Sequence, residues 1–96
     1  MKMFFIVYSH AADYDVLQRI RKAGIKGYTK LKEACGEGTE TEPKLGTHTW
    51  PGENNVLYIA VQEEEVPIVA DMIRLMKKEH PRAGVKGFVL PMEEII

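Results

Sequence analysis

An α+β fold of order βαββαβ, in which two helices cover one face of a four-stranded antiparallel sheet, is predicted by three features of this 96-residue sequence. Residues 3–8 and 56–61 are continuous apolar runs of strand length, rich in aromatic and β-branched side chains. Each is followed by a segment whose apolar residues recur at helical spacing. Two further strand-like stretches, 27–35 and 85–90, complete the alternation and leave room for a single domain spanning 1–96.

The first strand is Met3-Phe4-Phe5-Ile6-Val7-Tyr8, apolar on both alternating faces, with His10 marking its end. From Asp13 to Ala23, Val16, Leu17, Ile20 and Ala23 make one helical face, Arg19, Arg21 and Lys22 decorate the others, and Gly24 is the stop signal. The second strand, 27–35, sets Tyr28, Lys30 and Lys32 on one side and Thr29, Leu31, Glu33 and Cys35 on the other. Residues 56–61 form a central third strand. Glu63-Glu64-Glu65 then suits the positive end of a helix over 66–80, with Pro67 in its first turn and Val69, Met72, Ile73 and Met76 inward. Lys77, Lys78 and His80 suit its negative end, and a turn at Arg82-Ala83-Gly84 leads to the last strand, which Pro91 stops from extending.

Two helices cover one sheet face, yet the first and third strands are apolar on both. Self-association through the open face, as a dimer or a trimer, is the economical solution. Between the second and third strands lies a polar stretch, 36–55, longer than most loops in compact domains and therefore a candidate for ligand or partner contact.

Composition excludes several classes. A formal net charge of −1 offers no general attraction to phosphate backbones or anionic membranes, so nucleic acid is not an expected partner. No apolar run is long enough to span a bilayer, and no direct membrane insertion is expected. The single cysteine, Cys35, precludes an internal disulfide framework and, with no signal peptide at Met1, points to the cytoplasm. It is expected to be a small, partly buried side chain. A soft metal-transfer site would need a Cys-x-x-Cys pair, and an RNA-recognition strand would need aromatics where Tyr58 stands alone. No phosphate-loop, Ser/His/Asp or paired-carboxylate motif is present, so an enzyme has no positive support.

The run Ala23-Gly24-Ile25-Lys26-Gly27-Tyr28-Thr29, leading into Lys32-Glu33-Ala34-Cys35-Gly36-Glu37-Gly38, resembles the helix end, second strand and loop start of the PII nitrogen-regulatory proteins. The ending from Gly84-Val85-Lys86-Gly87-Phe88-Val89-Leu90-Pro91 to Ile96 is similar to that superfamily's nucleotide loop, fourth strand and C-terminal segment. The resemblance implies a ferredoxin-like subunit in a homo-oligomer, commonly a trimer. It also implies small effectors bound in intersubunit clefts and a long mobile loop that docks on a membrane transporter or an enzyme. It sets 36–55 at the T-loop position and 82–87 at the nucleotide loop. The effector residues it implies are Gly27, Thr29, Gly36, Glu37, Gly38, Gly84, Val85, Lys86 and Gly87.

The chain departs from the superfamily in having Ala83-Gly84-Val85-Lys86 in place of Gly-Asp-Gly-Lys, and in lacking C-terminal arginines and the modified-tyrosine context of the loop. An adenine nucleotide or a smaller phosphate-bearing effector on the amides of this turn is the first expectation. Gly84 and Gly87 also have a plain turn-forming explanation. A second chemistry is a divalent transition metal on His48, with nearby carboxylates or Cys35, against which stands the ordinary solvated loop histidine. Trp50, before Pro51-Gly52, reads as an anchor of the loop or as a partner-docking residue. The sequence therefore points to a cytoplasmic, non-enzymatic PII-like signalling protein. The alternatives are a metal-binding PII-like protein using His48 and a small ferredoxin-like enzyme.

Overall fold

The computed structural model describes residues 1–36 and 54–96. The elements run in the order β1 (Lys2–Ser9), α1 (Asp13–Lys22), β2 (Thr29–Ala34), β3 (Asn54–Val61), α2 (Val66–Glu79) and β4 (Lys86–Pro91). Short 3-10 turns at His10–Ala12, Glu63–Glu65 and Pro81–Ala83 precede α1, α2 and β4. The strands form one antiparallel sheet in the order β2-β3-β1-β4, the ferredoxin-like arrangement that the alternation predicts.

Register assigns the two faces. Phe4 lies opposite Ile59 and Ile6 opposite Leu57, and all four are buried beneath the helices with Val16, Ile20, Val69, Ile73 and Met76. The intervening residues face the other way: Phe5 lies between Tyr58 on β3 and Phe88 on β4, and Met3 between Ala60 and Leu90. Phe5 packs edge-on against both Tyr58 and Phe88, with ring centroids 5.1 and 5.5 Å apart. Phe88, Leu90 and, on β2, Leu31 remain exposed on this face.

Local chemistry explains the element ends. Gly24, at φ +82°, takes the left-handed position that closes α1, and its N–H donates to the Arg21 carbonyl. At the start of the second helical unit the Glu65 carboxylate accepts from the Gln62 N–H at 2.8 Å, so one of the three glutamates caps rather than merely solvates. Gly84, at φ +64°, turns the chain into β4.

Several boundaries differ from expectation. β1 ends at Ser9, and His10 opens a 3-10 turn instead of ending the strand. β2 is shorter than 27–35, and a register shift between Leu31 and Ala34, with Glu33 at φ +59°, marks a bulge that breaks its alternation. Cys35 is exposed, because it follows the bulged strand out of the sheet. β3 begins at Asn54, which removes Asn54 and Asn55 from the loop. Pro91 is itself the last residue of β4, tolerated because β4 is an edge strand with β1 on one side only.

Candidate functional site

The sheet has a loop-bearing end. Ala34 pairs with Asn54, Asn54 with Ser9, and Lys86 with Val7, so the end of β2, the start of β3, the end of β1 and the start of β4 meet there. Gly36 and the Gly84–Gly87 turn therefore share one end of the molecule, on opposite edges of the sheet. Thr29, level with Tyr58, Phe5 and Phe88, lies further along the β2 edge, and Gly27 precedes it. Three strand spacings separate β2 from β4, about 14 Å at the usual 4.8 Å per step. One chain thus brings Gly84, Val85, Lys86 and Gly87 together but keeps them away from Gly27 and Thr29. Glu37, Gly38, His48 and Trp50 lie outside the described residues.

The four turn residues are not equivalent. Val85 is only 4% exposed and belongs to the core, so its backbone alone is available to a ligand. Gly87 lies against α2: a Cβ there would stand 2.5 Å from Ile73 Cδ1, so close packing accounts for this glycine. Gly84 serves the left-handed turn, which leaves Lys86, half-buried, as the turn's charged side chain. Gly27 and Gly36 have nothing within 4 Å of where a Cβ would stand, so no steric demand of their own subunit requires glycine there. Cations flank both edges: exposed Lys26 before β2 and Lys32 on it, Lys86 at the start of β4 and Arg82 in the 3-10 turn that precedes it.

Beneath the loop-bearing end lies a polar cluster that sequence reading misses. The Asp13 carboxylate accepts from Tyr8 Oη at 2.6 Å, Asn55 Nδ2 at 3.0 Å and Lys30 Nζ at 3.0 Å. His10 Nδ1 stands 3.4 Å from Asn55 Oδ1. Tyr8 and Asn55 are fully buried, so one carboxylate at the start of α1 joins three strands. Burial, the Asp13 hydrogen bond and the Asp13 charge all push the Tyr8 phenol up, which keeps it neutral. Burial also pushes the Asp13 carboxyl up, but hydrogen bonds from Tyr8, Lys30 and Asn55 and the Lys30 charge outweigh it and hold the group below the usual carboxylate value. The available signal was Asn54-Asn55 directly ahead of an apolar run, since an asparagine inside a sheet needs partners.

Among the described residues no three His, Cys, Asp or Glu side chains stand together as a metal site, and no helix is long and apolar enough to cross a membrane. What the arrangement offers chemically is backbone amides and cations along two separated edges, suited to binding an anion.

A family model described as nitrogen regulatory protein P-II matches residues 1–96. Solved structures share the fold. CPII, a nitrogen regulatory PII-like protein from Thiomonas intermedia K12 bound to ADP, AMP and bicarbonate, is 21% identical with a TM-score of 0.68, over 93% of this chain and 88% of that one. The same protein bound to ADP and bicarbonate gives 22% identity and a TM-score of 0.65, over 92% and 81% of the two chains. A protein from Thermus thermophilus, described as PII-like and signalling, is 26% identical with a TM-score of 0.62, over 92% and 82%. No curated protein sequence matches the chain.

Proposed function

The chain belongs to the nitrogen regulatory protein P-II family, and on that premise we propose that it is a cytoplasmic, non-enzymatic regulator binding an adenine nucleotide in clefts between subunits of a homotrimer. The observation that carries this reading is the division of the candidate residues between opposite edges of one sheet. A second copy whose β2 edge meets the β4 edge of the first joins Gly27 and Thr29 to the Gly84–Gly87 turn. A ring of copies covers the exposed apolar face at the same time. The resulting cleft has cations on both walls, Lys26 and Lys32 from one subunit, Arg82 and Lys86 from the other, which suits a phosphate-bearing ligand. ADP and AMP in CPII support the choice of nucleotide, and bicarbonate in the same protein is a natural companion ligand to test.

In this proposal the segment 36–53, between β2 and β3 of the single domain, relays ligand binding to a partner protein. Gly36, Glu37 and Gly38 sit at its base, Trp50 serves as an anchor or docking residue, and a membrane transporter or an enzyme is the target. The metal alternative rests on His48, and no described residue cluster adds to it.

Calorimetry with ADP and AMP, with and without bicarbonate, tests the reading on the parent and on Lys86→Ala, with light scattering to verify that both keep the same mass. Loss of the lysine weakens nucleotide binding by about 1–3 kcal/mol, as expected for one charge-assisted hydrogen bond. A parent protein that binds neither nucleotide, or a stable monomer, overturns it.

A further inference from the structure

Away from the sheet edges, a groove of about 530 Å³ runs between the start of α1 and the end of α2, within the size range of small-molecule sites. Its floor is small and apolar, made by Ala11, Ala12, Pro81 and Ala83, while Asp15, Glu79, His80 and Arg82 also line it. The charges are arranged as two poles. Asp15 and Glu79 share a single guanidinium, that of Arg19, whose Nε is 3.1 Å from Asp15 Oδ2 and whose Nη2 is 2.6 Å from Glu79 Oε1. Two carboxylates on one cation leave a net negative charge at this pole, and His80 Nε2, 3.4 Å from Asp15 Oδ2, offsets it only when protonated. The other pole is Arg82, exposed and without an ion pair or side-chain hydrogen bond among the described residues, although two carboxylates line the same groove.

A simple anion attracted to Arg82 is repelled by Asp15 and Glu79, and a simple cation meets the reverse. A small molecule carrying both charges, with an apolar body between or beside them, matches both poles and the floor. We propose that this groove is a second ligand site, for a free amino acid with an apolar side chain. Its carboxylate sits on Arg82, its ammonium on the Asp15–Glu79 side, and its side chain on the alanine–proline floor. The site lies within one subunit, on the helix side of the sheet.

Backbone amide chemical shifts of the isotope-labelled intact protein test it with leucine, with isocaproate, which lacks the ammonium, and with isopentylamine, which lacks the carboxylate. Leucine shifts Ala11, Ala12 and Arg82, and each analogue binds about tenfold or more weakly, the factor that one lost charge-assisted contact carries. Arg82→Gln, at an exposed position, weakens leucine binding by a similar factor. Isocaproate binding as tightly as leucine, no leucine-dependent shift in the groove, or an Arg82→Gln variant that binds leucine normally overturns the assignment. Failure of the parent to bind ADP bears only on the nucleotide reading.

Discussion

On the helix-covered face of the sheet Phe4, Ile6, Leu57 and Ile59 are exposed by 1% or less, whereas on the other face Phe88 and Leu31 are each 49% exposed and Leu90 44%. Both faces are built from the same kinds of residue, and along β1 they alternate from one position to the next. The difference comes from supply: two amphipathic helices of 10 and 14 residues cover the central strands on one face, leaving Val89 on the β4 edge 46% exposed, and provide nothing for the second. Apolar periodicity therefore identifies strands well, but which face a chain covers with its own helices is decided by the rest of the fold. The open face is where a further chain gains most, because half-buried aromatics there have the most contact area left to lose to solvent exclusion.

Substitutions on the two faces separate these roles. Leu57→Ala, at a fully buried position, lowers stability in urea unfolding by about 2–5 kcal/mol through lost transfer energy and the cavity left behind, whatever the protein concentration. In the proposed homotrimer Phe88→Asp acts on assembly instead: light scattering falls to the mass of one chain while the circular dichroism of the folded subunit persists. A Phe88→Asp protein of unchanged mass removes the open face from the subunit contact, and a concentration-dependent cost of Leu57→Ala removes the distinction between the faces.

Gly87 sharpens the comparison at a single residue, since it belongs to the candidate effector turn and also packs against the closed face. Gly87→Ala puts a methyl group against Ile73 Cδ1, the far end of a side chain that is 6% exposed, and costs about 1–3 kcal/mol by overpacking. Ile73→Val removes that methyl group, so the double variant is more stable than the sum of the two single costs allows. Strict additivity in the urea midpoints shows that Cδ1 is not the obstacle and returns Gly87 to the ligand explanation.

The alternation of strand and helix was legible because its signals are local: apolar runs for β1 and β3, helical spacing through Val69, Ile73 and Met76, Gly24 as a stop. Where the reading fell short, the cause was non-local. The β2 bulge at Glu33 depends on how Leu31 and Ala34 meet Val56 and Asn54, partners at least 20 positions away. Cys35 follows that bulge out of the sheet, and the loop boundary moved because Asn54 and Asn55 are drawn into β3. Of the candidate effector residues, Gly84 to Gly87 are consecutive and lead into β4. The sequence had no means of showing that Val85 is core or that the turn and Thr29 stand on opposite edges. Asn54-Asn55 ahead of an apolar run was the one sign of the Tyr8, Asp13, Lys30 and Asn55 cluster, whose contacts with Asp13 span separations of 5, 17 and 42 residues.

That cluster lies on the closed face, and losing its charge costs less than a cavity or an overpacked methyl group there. Asp13→Asn keeps an oxygen for Tyr8 but removes the charge that holds Lys30, whose side chain, 23% exposed, can turn toward water. The cost at neutral pH is about 1 kcal/mol, below the usual range for charge-assisted hydrogen bonds because of that access to solvent. Its pH dependence identifies it. Because the folded Asp13 carboxyl is held below its ordinary value, the unfolded chain takes up the proton first as pH falls. The stabilisation is therefore complete above the ordinary carboxylate pKa and is lost as pH drops from there through the lowered folded value. Urea unfolding curves for parent and Asp13→Asn should differ by a constant amount near neutrality and approach one another at acid pH. A gap that persists undiminished into acid would mean that Asp13 acts through shape and packing rather than through its charge.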